Sequence, residues 1–133
     1  MSSTIRYGIA LLLFALAFLN PAKLWKRNQA IDLPGLNVLV ITDKSSGNSI
    51  NTNVMLSTQV RQWLTDNADT VHVWDDSHTD FEYIDPAWQT AYAKTLEHSK
   101  GNLPWVLISG DGSTSQPLPS DPQSFIKLLE DYK

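Results

Sequence analysis

The densest gathering of chemically capable side chains in the chain is Asp75-Asp76-Ser77-His78-Thr79-Asp80-Phe81-Glu82, which places four carboxylates and one imidazole within eight residues. Hard cations want several oxygen ligands on a flexible loop, so Asp76, His78 and Asp80 are the candidate ligands of a divalent metal, and metal-assisted hydrolytic or phosphoryl chemistry is what they would support. The spacing matches no EF-hand and lacks the glycine of its tight turn, so a solvated acidic loop at a strand end explains the segment more simply. Ser77 and His78 invite a triad reading. Sequence neighbours seldom reach the nucleophile–base–orienter geometry, however, and no Gly-x-Ser-x-Gly elbow is present.

Ser109-Gly110-Asp111-Gly112-Ser113-Thr114-Ser115 has the look of a phosphate-cradling loop, but it follows a strand without opening a helix and carries no lysine. A hairpin turn accounts for it better. His72 alternates within a strand and His98 sits near a helix end, and both read as structural. The chain contains no cysteine, which removes disulfides, zinc–thiolate sites and every thiolate nucleophile together. No cofactor is expected.

The elements that must position these groups are legible in order. Leu36 to Thr42 is apolar on both faces and β-branched, the pattern of a central strand covered by helices. Asp43 to Asn53 is rich in Ser, Asn and Gly and predicts a loop, long enough to suggest function. Leu56, Val60, Trp63 and Leu64 recur at helical spacing with Ser57 as N-cap. Thr70 to Asp75 is a second strand. Asp85-Pro86 starts a helix whose stripe is Trp88, Ala91, Tyr92, Thr95 and Leu96, closed by Gly101. Trp105 to Ser109 is a third strand, Ser115 to Leu118 a short fourth one, and Asp121-Pro122 opens a last helix marked by Phe125, Ile126, Leu128, Leu129 and Tyr132. Trp63, Trp74 and Trp88 belong to the core or its margin.

The resulting β-α-β-α-β-β-α order, with the Leu103-Pro104 step just before the third strand and a hairpin after it, resembles the thioredoxin-like superfamily over residues 36–133. The resemblance implies an α/β three-layer sandwich with a mixed four-stranded sheet. It also implies that Leu103-Pro104 is cis and that it faces the loop after the first strand. In that family the loop carries a Cys-x-x-Cys. Here it reads Asp43, Lys44, Ser45, Ser46 and onward, so the family's disulfide chemistry has no nucleophile. What the resemblance leaves is a groove between Asp43–Ser46 and Leu103, Pro104 and Trp105, in which family members hold extended peptide. Trp105 is the expected anchor within it, with core packing its equal alternative.

The amino-terminal part has a different character. Tyr7 to Ala22 is uncharged and mostly hydrocarbon, and as a helix to Trp25 it would span about 19 residues or roughly 28 Å, the thickness of a bilayer interior. Residues 1–27 therefore read as a membrane anchor or signal segment, 28–35 as a tether and 36–133 as one domain. Trp25, Lys23, Lys26 and Arg27 resemble the interfacial dress of a retained anchor, and their excess over Arg6 puts the body in the cytoplasm by the positive-inside rule. A cleaved signal would instead make the body secreted or periplasmic. Those four basic side chains carry +4 of a net charge of -4, leaving -8 for the rest of the chain. A body so acidic repels phosphate backbones, so no nucleic-acid partner is expected.

The expectation from sequence is thus a membrane-tethered, non-redox module that binds a protein or peptide partner through the groove residues. The alternatives are a metal-dependent hydrolase using the Asp75–Glu82 loop and a structural subunit of a membrane or viral assembly.

Overall fold

The structure, a computed structural model, describes residues 30–45 and 54–133. The anchor expected over 1–27, the first part of the tether, and Ser46 with the rest of its loop to Asn53 lie outside the described residues. Among those described, no helix is long and apolar enough to cross a membrane.

Strand β1 (Asn37–Thr42) is buried along five of its six residues, as its unbroken apolar run requires. It pairs in parallel with β2 (Thr70–Asp75) and antiparallel with β3 (Trp105–Gly110), and β3 pairs antiparallel with β4 (Gly112–Pro117), giving the order β2-β1-β3-β4. The parallel pair needs a crossover, supplied by helix α1 (Thr58–Asn67). Helix α2 (Pro86–Ser99) carries the chain from β2 over to β3, and α3 (Pro122–Glu130) follows the hairpin.

Alternation in the central strands sorts the core into two halves. Val38, Val40, Val106 and Ile108 point to the side of Val60 and Leu64 of α1 and Phe125 and Leu129 of α3. Leu39, Ile41 and Leu107 point to Trp88, Ala91 and Tyr92 of α2, where Ile31 also packs. The protein is therefore α/β, with a mixed four-stranded sheet covered on both faces by helices.

Local chemistry sets the boundaries. Asp85 accepts from the backbone N–H of Ala87 at 2.9 Å, with Pro86 in the first turn, where a missing N–H costs nothing. Lys100 takes the left-handed conformation at the end of α2 (φ 50°) before Gly101 does (φ 81°), so the helix is closed by the pair rather than by the glycine alone. Ser57 stands at the N-cap position of α1 as expected but makes no side-chain cap hydrogen bond. Strand β4 is longer than the sequence suggested. It runs back to Gly112, because an edge strand tolerates Pro117 at its end while Ser and Thr complete the ladder to β3. The Leu103-Pro104 peptide bond is cis.

Asp121 caps α3 with both carboxylate oxygens, accepting from the Ser124 N–H at 2.9 Å and from its hydroxyl at 2.7 Å. The hydroxyl bond above all, then the amide, holds this carboxyl below its ordinary range. A depressed carboxyl contributes stability above its unfolded value, and that contribution disappears as pH falls through the folded one. Asp121→Ala is thus expected to be less stable than wild type at neutral pH, with the difference closing as the pH is lowered below the ordinary carboxylate range in urea titrations. A gap that stays constant over that range would show that the cap is not charged.

Candidate functional site

Because β1 and β2 are parallel neighbours and β3 is antiparallel to β1, the carboxyl ends of the first two strands and the amino end of the third meet at one edge of the sheet. Ligands of open α/β sheets bind outside such carboxyl ends. The pairs Thr42 with Asp75 and Ile41 with Trp105 fix this meeting point.

Two matching turns leave the strands there. Asp43 accepts from the Ser45 N–H at 2.9 Å and its hydroxyl at 2.7 Å, and Asp75 does the same with Ser77 at 2.8 and 2.7 Å. Each Asp-x-Ser step is an Asx-type turn that closes its own strand end. The two are laced together, since the Lys44 N–H donates to Asp76 Oδ1 at 3.0 Å and the Asp76 N–H donates to the Thr42 carbonyl at 3.0 Å. The Asp75 carboxyl is held below its ordinary range, first by the Ser77 hydroxyl, then by the Ser77 amide, with slight desolvation opposing and Lys44 and His78 adding to the depression. Lys44 and Ser45 are exposed.

The third side of the rim is Leu103-Pro104. Leu103 packs on the α2 half of the core, and the Pro104 carbonyl accepts from the Leu118 N–H at 3.1 Å. Of the two equal expectations for Trp105, groove lining and core packing, the structure shows a buried side chain. The residue is 9% exposed, and its indole lies edge-on to the His98 ring of α2 at 5.6 Å. Its N–H donates to the Ser115 hydroxyl at 2.7 Å, which in turn bonds His98 Nδ1 at 2.9 Å. Strand parity is the reason: Trp105 shares a face with Leu107, which belongs to the α2 half of the core. The alternative of core packing is the one realised, which leaves Asp43, Lys44, Ser45, Leu103 and Pro104 as the described members of the expected groove, Ser46 lying outside the described residues.

The metal ligands proposed from sequence are not brought together. Asp76 accepts from Lys44 and Asp80 from the Glu82 N–H at 3.2 Å, while the His78 ring turns inward. Among the described residues no group of three His, Asp or Glu side chains is placed to hold a metal ion.

Sequence reasoning missed what lies under the rim. Trp74 on β2 stacks face to face with His72 (centroids 4.5 Å apart) and with His78 (4.3 Å). Phe81, Trp88 and Tyr92 meet it edge-on at 5.3, 6.2 and 5.9 Å, and His72 also meets Trp88 edge-on at 4.5 Å. The Tyr92 hydroxyl donates to the Asp75 carbonyl at 2.7 Å, tying α2 to the end of β2. Burial pushes the Tyr92 phenol up, with the His78 amide opposing and the Asp75 and Asp76 charges adding. Burial also holds the His72 imidazole below its ordinary value, with the neighbouring His78 second. The available signal was pairwise: residues 72 and 74 share a strand face, and 88 and 92 share a helix face.

No family model, no curated protein and no solved structure matches the chain.

Proposed function

We propose that the domain is a non-redox, thioredoxin-like module that binds a protein or peptide partner along the rim formed by Asp43–Ser45 and Leu103-Pro104, and that residues 1–27 tether it to a membrane. The observation that carries this reading is the strand order β2-β1-β3-β4 with the Leu103-Pro104 step beside the carboxyl end of β1. A mixed four-stranded sheet with the proline step next to the loop after the first strand supports the resemblance, and in this reading the Asp43-Lys44-Ser45 turn takes the place of a thiol pair. Supporting it, Lys44 and Ser45 are solvent-exposed on a backbone held in place by Asp43 and Asp76. A preformed polar edge of this kind loses little entropy on docking an extended segment. The uncharged run from Tyr7 to Ala22 and the basic residues after it support the tether.

The test is affinity purification of the full-length protein from detergent-solubilised native membranes, beside a Lys44→Glu/Ser45→Tyr variant with unchanged Tm. A defined partner that is retained by wild type and reduced about tenfold or more in the variant is the expected outcome. Equal recovery in both would move the working surface elsewhere on the molecule.

A further inference from the structure

His98 and Ser115 come from different layers of the fold and meet at hydrogen-bond distance. His98 lies in the last turn of α2, and the pairing of Ser115 with Leu107 turns its hydroxyl to the face of the sheet that α2 covers. Ser115 Oγ is 2.9 Å from His98 Nδ1 and accepts from the Trp105 Nε1–H at 2.7 Å. Trp105 is buried and meets the His98 ring edge-on, so the imidazole rests on a fixed neighbour. Ser115 is half-buried and His98 is exposed, which leaves the pair open to a solute.

A hydroxyl within reach of an imidazole nitrogen is the nucleophile–base pair of acyl transfer. With the imidazole proton on Nε2, Nδ1 carries the lone pair and Ser115 donates to it. Other serine hydroxyls among the described residues are placed differently. Those of Ser45, Ser77 and Ser124 donate to the carboxylates of their own turns, of which Asp75 and Asp121 are held below the ordinary range and so take up protons poorly. Those of Ser99 and Ser109 donate to backbone carbonyls.

Donors for the charge that develops on a carbonyl oxygen are also at hand, and the Trp105 Nε1–H is one. The Ser115 amide is another. The Leu118 N–H bonds the Pro104 carbonyl, and amides of an antiparallel strand alternate in direction, so those of Leu118 and Gln116 face β3 while the Ser115 N–H points off the outer edge of the sheet. A nucleophile's own amide is well placed to bind an oxyanion.

We propose that Ser115 and His98 form an acyl-transfer site that hydrolyses small esters, with Ser115 as nucleophile, His98 as general base and Trp105 as an oxyanion donor. Oγ attacks the ester carbonyl carbon while its proton passes to Nδ1. The bond to the ester's alcohol oxygen then breaks, and the alcohol leaves with that proton. Water attacks the acyl-serine next, giving its proton to Nδ1, and the carboxylic acid departs as Oγ takes that proton back. An ester and a water thus give an acid and an alcohol. The buried indole fills the ground beside Oγ, so the site takes a compact acyl group such as acetyl. It uses no residue of the rim and stands whether or not the rim binds a partner.

The test is reaction of the full-length protein in detergent with 4-nitrophenyl acetate, with acetyl groups located by peptide mass spectrometry and 4-nitrophenolate followed by absorbance. Acetylation of Ser115 is expected to outpace that of every other serine about tenfold or more. His98→Gln keeps an acceptor for the hydroxyl but cannot take its proton, so Ser115 acetylation should fall about tenfold or more at unchanged Tm. A merely structural bond would leave the rate as it was. His98→Ala serves the same purpose should the glutamine variant misfold. Ser115 reacting no faster than other serines, equal Ser115 acetylation in a folded His98 variant, or steady-state 4-nitrophenolate release unaltered by Ser115→Ala would each overturn the site.

Discussion

Phe125→Ala is expected to destabilise the domain by about 3–5 kcal/mol, the largest effect of any single substitution considered for this protein. Phe125 is fully buried and is, among the described residues, the largest side chain so enclosed. It holds α3 against Val38, Val40, Val106 and Ile108 and against Val60 and Leu64 of α1. Removing the ring leaves a cavity that a sheet and two helices cannot readily close around, so the transfer and cavity costs add. A domain of this size has only about 5–15 kcal/mol of net stability, and the corresponding fall in Tm is about 15–30 °C. Thermal unfolding followed by circular dichroism measures it. Tyr83→Ala is the control: Tyr83 is 97% exposed, and surface substitutions of this kind stay within about 0.5 kcal/mol. If both variants melt alike, the α1/α3 half of the core is not packed as described.

Gly110→Ala comes next. Gly110 ends β3, and a Cβ there would fall on the backbone carbonyl of Tyr132 and within 2.8 Å of the Leu36 side chain. Flexible side chains yield, but a carbonyl fixed by its own hydrogen bond does not. The Tyr132 carbonyl accepts from the Asp111 N–H at 2.8 Å, which is how the end of α3 is clamped to the β3–β4 hairpin. Making room for one methyl therefore breaks that bond and moves backbone, at a cost of about 1–3 kcal/mol or somewhat more. Deleting Tyr132 and Lys133 removes the obstacle, so the same substitution should cost much less in the shortened chain. That non-additivity, measured in a double-mutant cycle by urea denaturation, is the signature of the clash. Equal costs in both backgrounds would place the strain elsewhere. Gly101→Ala is the contrast, because nothing lies within 4 Å of its Cβ position and only the backbone conformation resists.

Much of this architecture was legible because local chemistry and tertiary demand agree. The β-branched run of β1 could be satisfied only between two layers, and the two Asp-Pro steps begin α2 and α3 where the structure begins them. The absence of cysteine settled one question of mechanism outright. Where the sequence left alternatives open, the missing quantity was the face on which a residue lies. Trp105 stands beside Pro104 in sequence, yet its strand parity turns the indole under α2 to Ser115 and His98. Asp76, His78 and Asp80 are close neighbours along the chain, yet two of them point outward to backbone amides while the histidine folds inward.

The amino-acid sequence by itself determined the order of elements, the central place of β1, the positions where α2 and α3 begin, the segregation of positive charge before residue 31 and the impossibility of thiolate chemistry. Those follow from side-chain type, periodicity and backbone preference, all of which act within a few residues. Tertiary structure alone decided which loops share an edge of the sheet, that Trp105 is core, that the acidic loop gathers no metal ligands, and that His72, Trp74, His78, Phe81, Trp88 and Tyr92 form one cluster. Those residues come from a strand, a loop and a helix, and only the parallel pairing of β1 with β2 and the crossing of α2 over the sheet bring them within reach of one another.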